Sequence, residues 1–186
     1  MHIGQSIPIF GDWFLIHFVE NPGMAFGIII GDRLFLRLFR IIFACFLIVI
    51  IVRLIKQNYK TGFIVCISLI LAGAIGNIID GVFYGVIFEE STRSHVASFV
   101  PWGQGYASLF RGDVVDMLFF PIIRTTYPDW FPWIGGTEFV FFRFVFNIAD
   151  SAIVIGVFSL WIFYRNTFFY LLYSKKEHEE LENQNL

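Results

Sequence analysis

Three long apolar runs dominate the pattern along the chain, from Leu34 to Ile55, Gly62 to Phe88 and Phe139 to Tyr164. Each reaches the ~20 residues needed to cross a hydrocarbon core of ~30 Å as a helix. All six prolines and four of the five tryptophans lie outside the runs. This fits helices whose flanking Trp rings sit at membrane interfaces. Before the first run, Trp13 to Glu20 (WFLIHFVE) is β-prone, and Asn21-Pro22-Gly23 signals a turn ahead of Met24 to Ile30. A β-hairpin or small sheet lying on the membrane surface is expected there. The fifty-residue connection before the third run is too long for a plain loop. It holds Trp102, Tyr106, Tyr127, Trp130 and Trp133 with prolines at 101, 121, 128 and 132, the composition of an interfacial lid. The expectation is one membrane-embedded domain over 1–186: a β element at 1–33, spans at 34–56, 61–87 and 139–165, a lid at 88–138 and a charged tail at 166–186. The fold class is an all-α membrane protein carrying a small sheet.

Composition agrees with this pattern. Of 186 residues, 57% are hydrophobic and only 15% charged, against about 25% in soluble domains. A net charge of −2 gives no reason to expect nucleic acid. Cys45 and Cys66 lie in apolar runs and read as buried small hydrophobes. Residues 1–12 lack the basic start and apolar core of a cleavable signal. Arg and Lys together divide almost evenly between the two sides that alternating spans create, and Arg33, Arg37 and Arg40 argue for the opposite orientation to the lysines. Lys56, Lys60, Lys175 and Lys176 all fall on the side of the short turn and tail, which puts that side in the cytoplasm.

Polar residues inside the runs carry the candidate chemistry. An ionised group at membrane depth costs roughly 2.5–3.5 kcal/mol even on the lenient insertion scale. Two acids nonetheless sit there: Asp80, three residues after Asn77, and Asp150, three after Asn147 and beside Ser151. Helical spacing puts each Asn and Asp on one face. Ser68, Ala72, Gly76 and Asp80, flanked by Gly73, form a small-residue face suited to close helix approach. These acids are either helix–helix glue or a working pair, and spacing makes Asp80 the natural partner of Asp150. Asp113 beside Gly112 reads as a turn acid, and Asp116 as a surface acid. The four histidines have no ligand spacing, so no metal or other cofactor is expected. Two carboxylates sharing a site cannot both ionise easily, and such a pair can act as base and acid in peptide hydrolysis.

Four motifs in order resemble the lipoprotein signal peptidase (signal peptidase II) family: Asn21-x-Gly23-x-Ala25-Phe26-Gly27, Gly73-Ala74-x-Gly76-Asn77-x-x-Asp80, Val114-Val115-Asp116-Met117 and Phe146-Asn147-x-Ala149-Asp150-Ser151-Ala152. The resemblance implies an aspartic endopeptidase of the bacterial inner membrane with its site near the periplasmic face. It implies cleavage of prolipoproteins before the diacylglyceryl-modified lipobox cysteine. Asp116 and Asp150 are its implied catalytic pair, with Asn21, Gly23, Asn77, Asp80 and Asn147 lining or supporting the site. A monomer in contact with membrane lipid, and globomycin-type inhibitors in the same groove, are implied as well. On the family pattern a preceding span would end in Asp-x-x-Ser/Thr-Lys, so three of four spans are expected in this chain, as in an N-terminally truncated product. Gly81 stands where the family has Arg, and Arg111 or Arg143 is the expected substitute if that contact is kept. The interval between Asp80 and Asp116 is also longer than the family's. The competing reading is a small proton-coupled transporter or helix-bundle partner using Asp80 and Asp150. Asp116 separates the two, because a transporter has no use for an acid in a lid.

Overall fold

The structure, a computed structural model, describes residues 1–23 and 32–171. Met24 to Ile30, including the end of the first motif, lies outside the described residues, as do Lys175 and Lys176. Among the described residues, two helices are long and apolar enough to cross a membrane, α1 (Arg33–Lys56) and α2 (Thr61–Ile87). Asn58, at φ 54°, ends the first of them in the left-handed conformation that Asn tolerates. Much of α1 leaves large apolar side chains such as Phe35, Phe39, Ile42 and Phe46 exposed, a surface suited to lipid.

The third apolar run differs from expectation. Residues 139–146 are extended, and α3 begins only at Ile148 and runs to Phe163. Phe139-Val-Phe-Phe-Arg-Phe-Val-Phe is a run of aromatic and β-branched residues, which favour strands as readily as hydropathy favours a span. Sixteen residues give α3 a length of only ~24 Å. It reaches span length only together with Arg165–Leu171, which is bent from it by 88°.

The expected β element is present and larger than expected. Its hairpin is β1 (Ser6–Phe10) with β2 (Phe14–Asn21), turning at residues 11–13 and not at Asn21-Pro22-Gly23, beyond which Met24 to Ile30 lies outside the described residues. β3 (Val114–Phe119) pairs antiparallel with β2, and β6 (Val145–Phe146) with β3, giving the order β1-β2-β3-β6. Between β3 and β6 the chain forms a second ribbon, β4 (Ile123–Thr126) against β5 (Glu138–Phe141), whose far end carries the exposed Trp130 and Trp133. The connection expected to form one lid is therefore two things. Its first half wraps the end of α2, where the amides of Gly103, Ala107, Phe110 and Gly112 donate to the carbonyls of Val86, Gly85, Val82 and Gly81. Of these, the Val86 and Gly85 carbonyls are among the last four that a helix leaves unpaired. Its second half supplies a sheet strand and the root of the arm.

α2 packs against both other helices. Gly73 makes the α2–α3 approach possible: a Cβ there would meet the Ala149 carbonyl oxygen, and Ile153 Cγ1 at 2.6 Å. Gly76 faces the Ala149 methyl, and Gly156 returns the arrangement from α3 by lying against the Cys66 carbonyl. The small-residue face thus does bring helices together, centred on Gly73 and the buried Asn77. Gly73→Val is expected to lower stability by about 1–3 kcal/mol, the range for overpacking. Thermal unfolding of the detergent-solubilised protein measures this, and an unchanged melting temperature would contradict it. Leu47, Leu54, Phe63 and Ile67 form the buried core at the opposite end of the helices. Cys66 is buried as expected, whereas Cys45 is exposed on α1.

Candidate active site

Where the sheet meets α2 and α3, five polar side chains form one hydrogen-bonded network. Asp116 lies on β3 opposite Val19 of β2 and is only 3% exposed, so it is not the surface acid that spacing suggests. Its Oδ2 accepts from Asn21 Nδ2 at 3.1 Å and its Oδ1 from Asn147 Nδ2 at 2.8 Å. Asn147 Nδ2 also donates to Asn77 Oδ1 at 3.0 Å, and Asn77 Nδ2 donates to Asp150 Oδ1 at 2.8 Å. The three amides thus point their N–H groups at two carboxylates.

Each member is set by local structure. At the end of β2, the Gly23 amide donates to Asn21 Oδ1 at 2.9 Å, which turns Asn21 Nδ2 towards Asp116. Gly23 has φ 103°, which a residue with a Cβ rarely adopts. Asn147 and Asp150 are not neighbours on a helix face. They form a capping box: Asp150 N–H donates to Asn147 Oδ1 at 2.8 Å, and Asn147 N–H to Asp150 Oδ2 at 3.3 Å. Asp150 therefore sits in the first turn of α3, where the helix dipole favours an acid. One residue, Asn147, touches both carboxylates. Ser151 Oγ instead donates back to the Asn147 carbonyl.

Asp80 stands outside this network. Its Oδ2 accepts from the Val115 amide at 3.4 Å, and it shares a hydrogen bond with the Tyr84 hydroxyl. It tethers β3 one residue before Asp116 and does not pair with Asp150 as hydropathy suggests.

A cavity of about 680 Å³ opens on the network. Asn21, Asn77, Asp116 and Asp150 form its polar end. Phe142 and Phe144 after β5, with Val145 and Phe146 of β6, form one wall, and Val154 and Ile155 of α3 carry it down the helix face. The shape is an apolar trough with two acids at its head. A second cavity of about 490 Å³, near Arg165, is lined by apolar side chains and holds no acid.

Burial pushes the Asp116 carboxyl up to about 6, with the Asp150 carboxylate adding to it and the Asn21 and Asn147 bonds opposing. The folded value lies above the ordinary 3.8, so the folded state holds this proton more tightly than the unfolded chain. The stability this contributes is full below about pH 4 and is lost as pH rises through about 6. Melting temperatures between pH 4 and 7 should therefore fall more steeply for wild type than for Asp116→Asn. Equal slopes would contradict the assignment.

A profile of the signal peptidase (SPase) II family matches residues 1–165. The chain belongs to the signal peptidase II family. It is therefore a protease of lipoprotein signal-peptide removal. It is 51% identical over 177 residues to the lipoprotein signal peptidase of Porphyromonas gingivalis, covering 95% of this chain and 77% of that one. It is 40% identical over 159 residues to that of Amoebophilus asiaticus, covering 83% of this chain and 62% of the relative. Two solved structures of a bacterial membrane enzyme, obtained by the in meso method at 2.3 and 1.9 Å resolution, resemble it. Their TM-scores are 0.52 and 0.51, each at 26% identity. They cover 85% and 87% of this chain, and 69% and 76% of their own.

Within the peptidase, the space facing Gly81 is filled by neither expected arginine. Arg111 lies 3.7 Å from Asp32 at the surface, and Arg143 is exposed on the arm. Arg37 of α1 occupies that space instead, while Arg40, one turn on, lines the 680 Å³ cavity. Sequence reasoning missed both. The available signal was Arg33, Arg37 and Arg40 at helical spacing inside an apolar run, a stripe that lipid would not accept.

Proposed function

We propose that the chain hydrolyses its substrate as an aspartic peptidase, with Asp116 and Asp150 as the catalytic pair. The observation that carries this is Asn147, bonded to both carboxylates that line the cavity. In this reading one member of the pair is neutral and the other ionised when substrate binds. A water held between them loses a proton to the ionised carboxylate as it attacks the scissile carbonyl. The neutral member protonates the carbonyl oxygen, and the proton collected from water then passes to the leaving amine. A carboxyl near pH 6 suits this exchange, because acid–base catalysis is most effective when the group's pKa lies near the working pH. Asn21, Asn77 and Asn147 supply N–H donors that fix both carboxylates, and Gly23 and Asp80 set the segments carrying them.

The substrate is a prolipoprotein, cut before a diacylglyceryl-modified cysteine. The apolar trough along Val154 and Ile155 supports this reading, since it would take acyl chains while the peptide crosses the polar end beside the sheet. A globomycin-type inhibitor would occupy the same trough. The protein acts as a monomer in the bacterial inner membrane, a reading supported by one chain supplying both acids. The sheet, the first-half wrap and the arm lie at the periplasmic side. Lys56 and Lys60 at the opposite helix ends support that orientation. Of the arginines that argue against it, Arg33 pairs with Asp113 at 3.0 Å, Arg37 is buried and Arg40 lines the cavity.

The test is cleavage by purified enzyme of one synthetic lipobox peptide, with and without the diacylglyceryl group. Mass spectrometry should find the modified cysteine as the new N-terminus, and the unmodified peptide should stay uncut. Equal cleavage of both peptides would exclude the lipid from recognition.

A further inference from the structure

We propose that Arg37, passing over Gly81, is a positioning residue that holds Asp116 in place for cleavage. The inference rests on the catalytic pair described above.

Arg37 is 1% exposed, among the most completely buried side chains of the protein. Burying a charge costs several kcal/mol unless it is well bonded, so its partners identify what it is for. Nη1 donates to the Arg33 carbonyl at 3.1 Å, within its own helix. Nη2 donates to the carbonyl oxygen of Gly112, which lies far away in sequence. The path between them runs over Gly81, where a Cβ would collide with Arg37 Nε and lie 3.2 Å from Cδ and Cζ. Glycine at 81 and arginine at 37 are therefore two halves of one fit.

Gly112 is gripped from both sides. Its N–H donates to the Gly81 carbonyl at 3.1 Å while its own carbonyl accepts from Arg37. A Cβ on Gly112 would meet Gly85 N at 2.6 Å and the Asp80 carbonyl at 3.0 Å, so the segment lies directly on α2. Asp113 follows, paired with Arg33 at 3.0 Å. β3 begins at Val114, and Asp116 is its third residue. A strand entering one residue out of register would turn Asp116 to the opposite face of the sheet. The guanidinium fixes the point at which that strand enters. Arg37 does not line the catalytic cavity, whereas Arg40 does. Its effect should therefore fall on turnover and not on substrate capture.

The experiment measures kcat and KM for the diacylglyceryl peptide with wild type, Arg37→Met, Arg37→Ala, Gly81→Ala, the double variant Arg37→Ala/Gly81→Arg, and Asp116→Asn. Folding is checked by thermal unfolding in detergent. Folded Arg37→Met should lose ~10²-fold in kcat, the cost of about 1 Å of misplacement, with KM within about threefold. Gly81→Ala, which keeps the arginine but pushes it aside, should do the same. The double variant should recover kcat at least ~10-fold over Arg37→Ala, because a guanidinium reaching from position 81 can again donate to the Gly112 carbonyl. Should Arg37→Met fail to fold, Gly81→Ala decides alone. Wild-type kcat in either folded single variant, or a double variant no better than Arg37→Ala, would overturn the inference. An active Asp116→Asn would instead overturn the catalytic pair itself.

Discussion

Asp116→Asn and Asp150→Asn each leave a folded membrane protein and abolish cleavage of the diacylglyceryl prolipoprotein. The expected fall in kcat is at least ~10²–10⁴-fold, the range a positioned general acid or base contributes. Asn keeps the size and polarity of each side chain but cannot exchange a proton. At 116 the cost to stability is small: one oxygen can still accept from Asn21 or Asn147, and the buried charge is removed. At 150 the substitution keeps one acceptor in the first turn of α3, so the helix start survives. Conversion of precursor to mature lipoprotein on a gel, beside the amount of enzyme in the membrane, measures both parts. A variant that cleaves at the wild-type rate would remove that aspartate from the mechanism.

Asn147→Ala should be nearly as damaging, for two separable reasons. It removes the N-cap of α3, worth about 1 kcal/mol of stability. It also removes, among the described residues, the one side chain that bonds to both Asp116 and Asn77, so that Asn21 alone holds Asp116 and the link between the two carboxylates is lost. A fall of ~10²-fold in kcat is expected from lost alignment. Asn147→Ser separates the two contributions, since Ser caps a helix as well as Asn but cannot reach both partners. It should recover the melting temperature and leave kcat low. Recovery of both would reduce Asn147 to a helix cap.

Much of the architecture is written in local pattern. The two full-length spans follow from hydropathy, and β2 from its β-prone run ending at Asn-Pro-Gly, because those signals depend only on near neighbours; the strand pairing with β2 from the N-terminal side was not signalled. The run at 139–146 was not legible from hydropathy, since Phe and Val satisfy a lipid-facing helix and a strand equally well; the pairing of β6 with β3 decided it. The same limit applies to the acids. Hydropathy singled out Asp80, which sits within a span, yet the site is assembled by sheet pairing that carries Asp116 to Asn147. Only the motif resemblance anticipated that pairing. The Asn-x-x-Asp spacing at 147–150 was visible, but its meaning was a capping box and not a shared helix face. Arg37 shows a third limit. Its use depends on the absence of a side chain on another helix, and no local pattern reports that.

The central claim is that Asp116 and Asp150 work as one unit, and a double-mutant cycle tests it most directly. The claim predicts that Asp116→Asn/Asp150→Asn loses no more activity than either single variant, because removing one member already disables the pair. Losses that add, with each single variant retaining its own share of turnover, would contradict it.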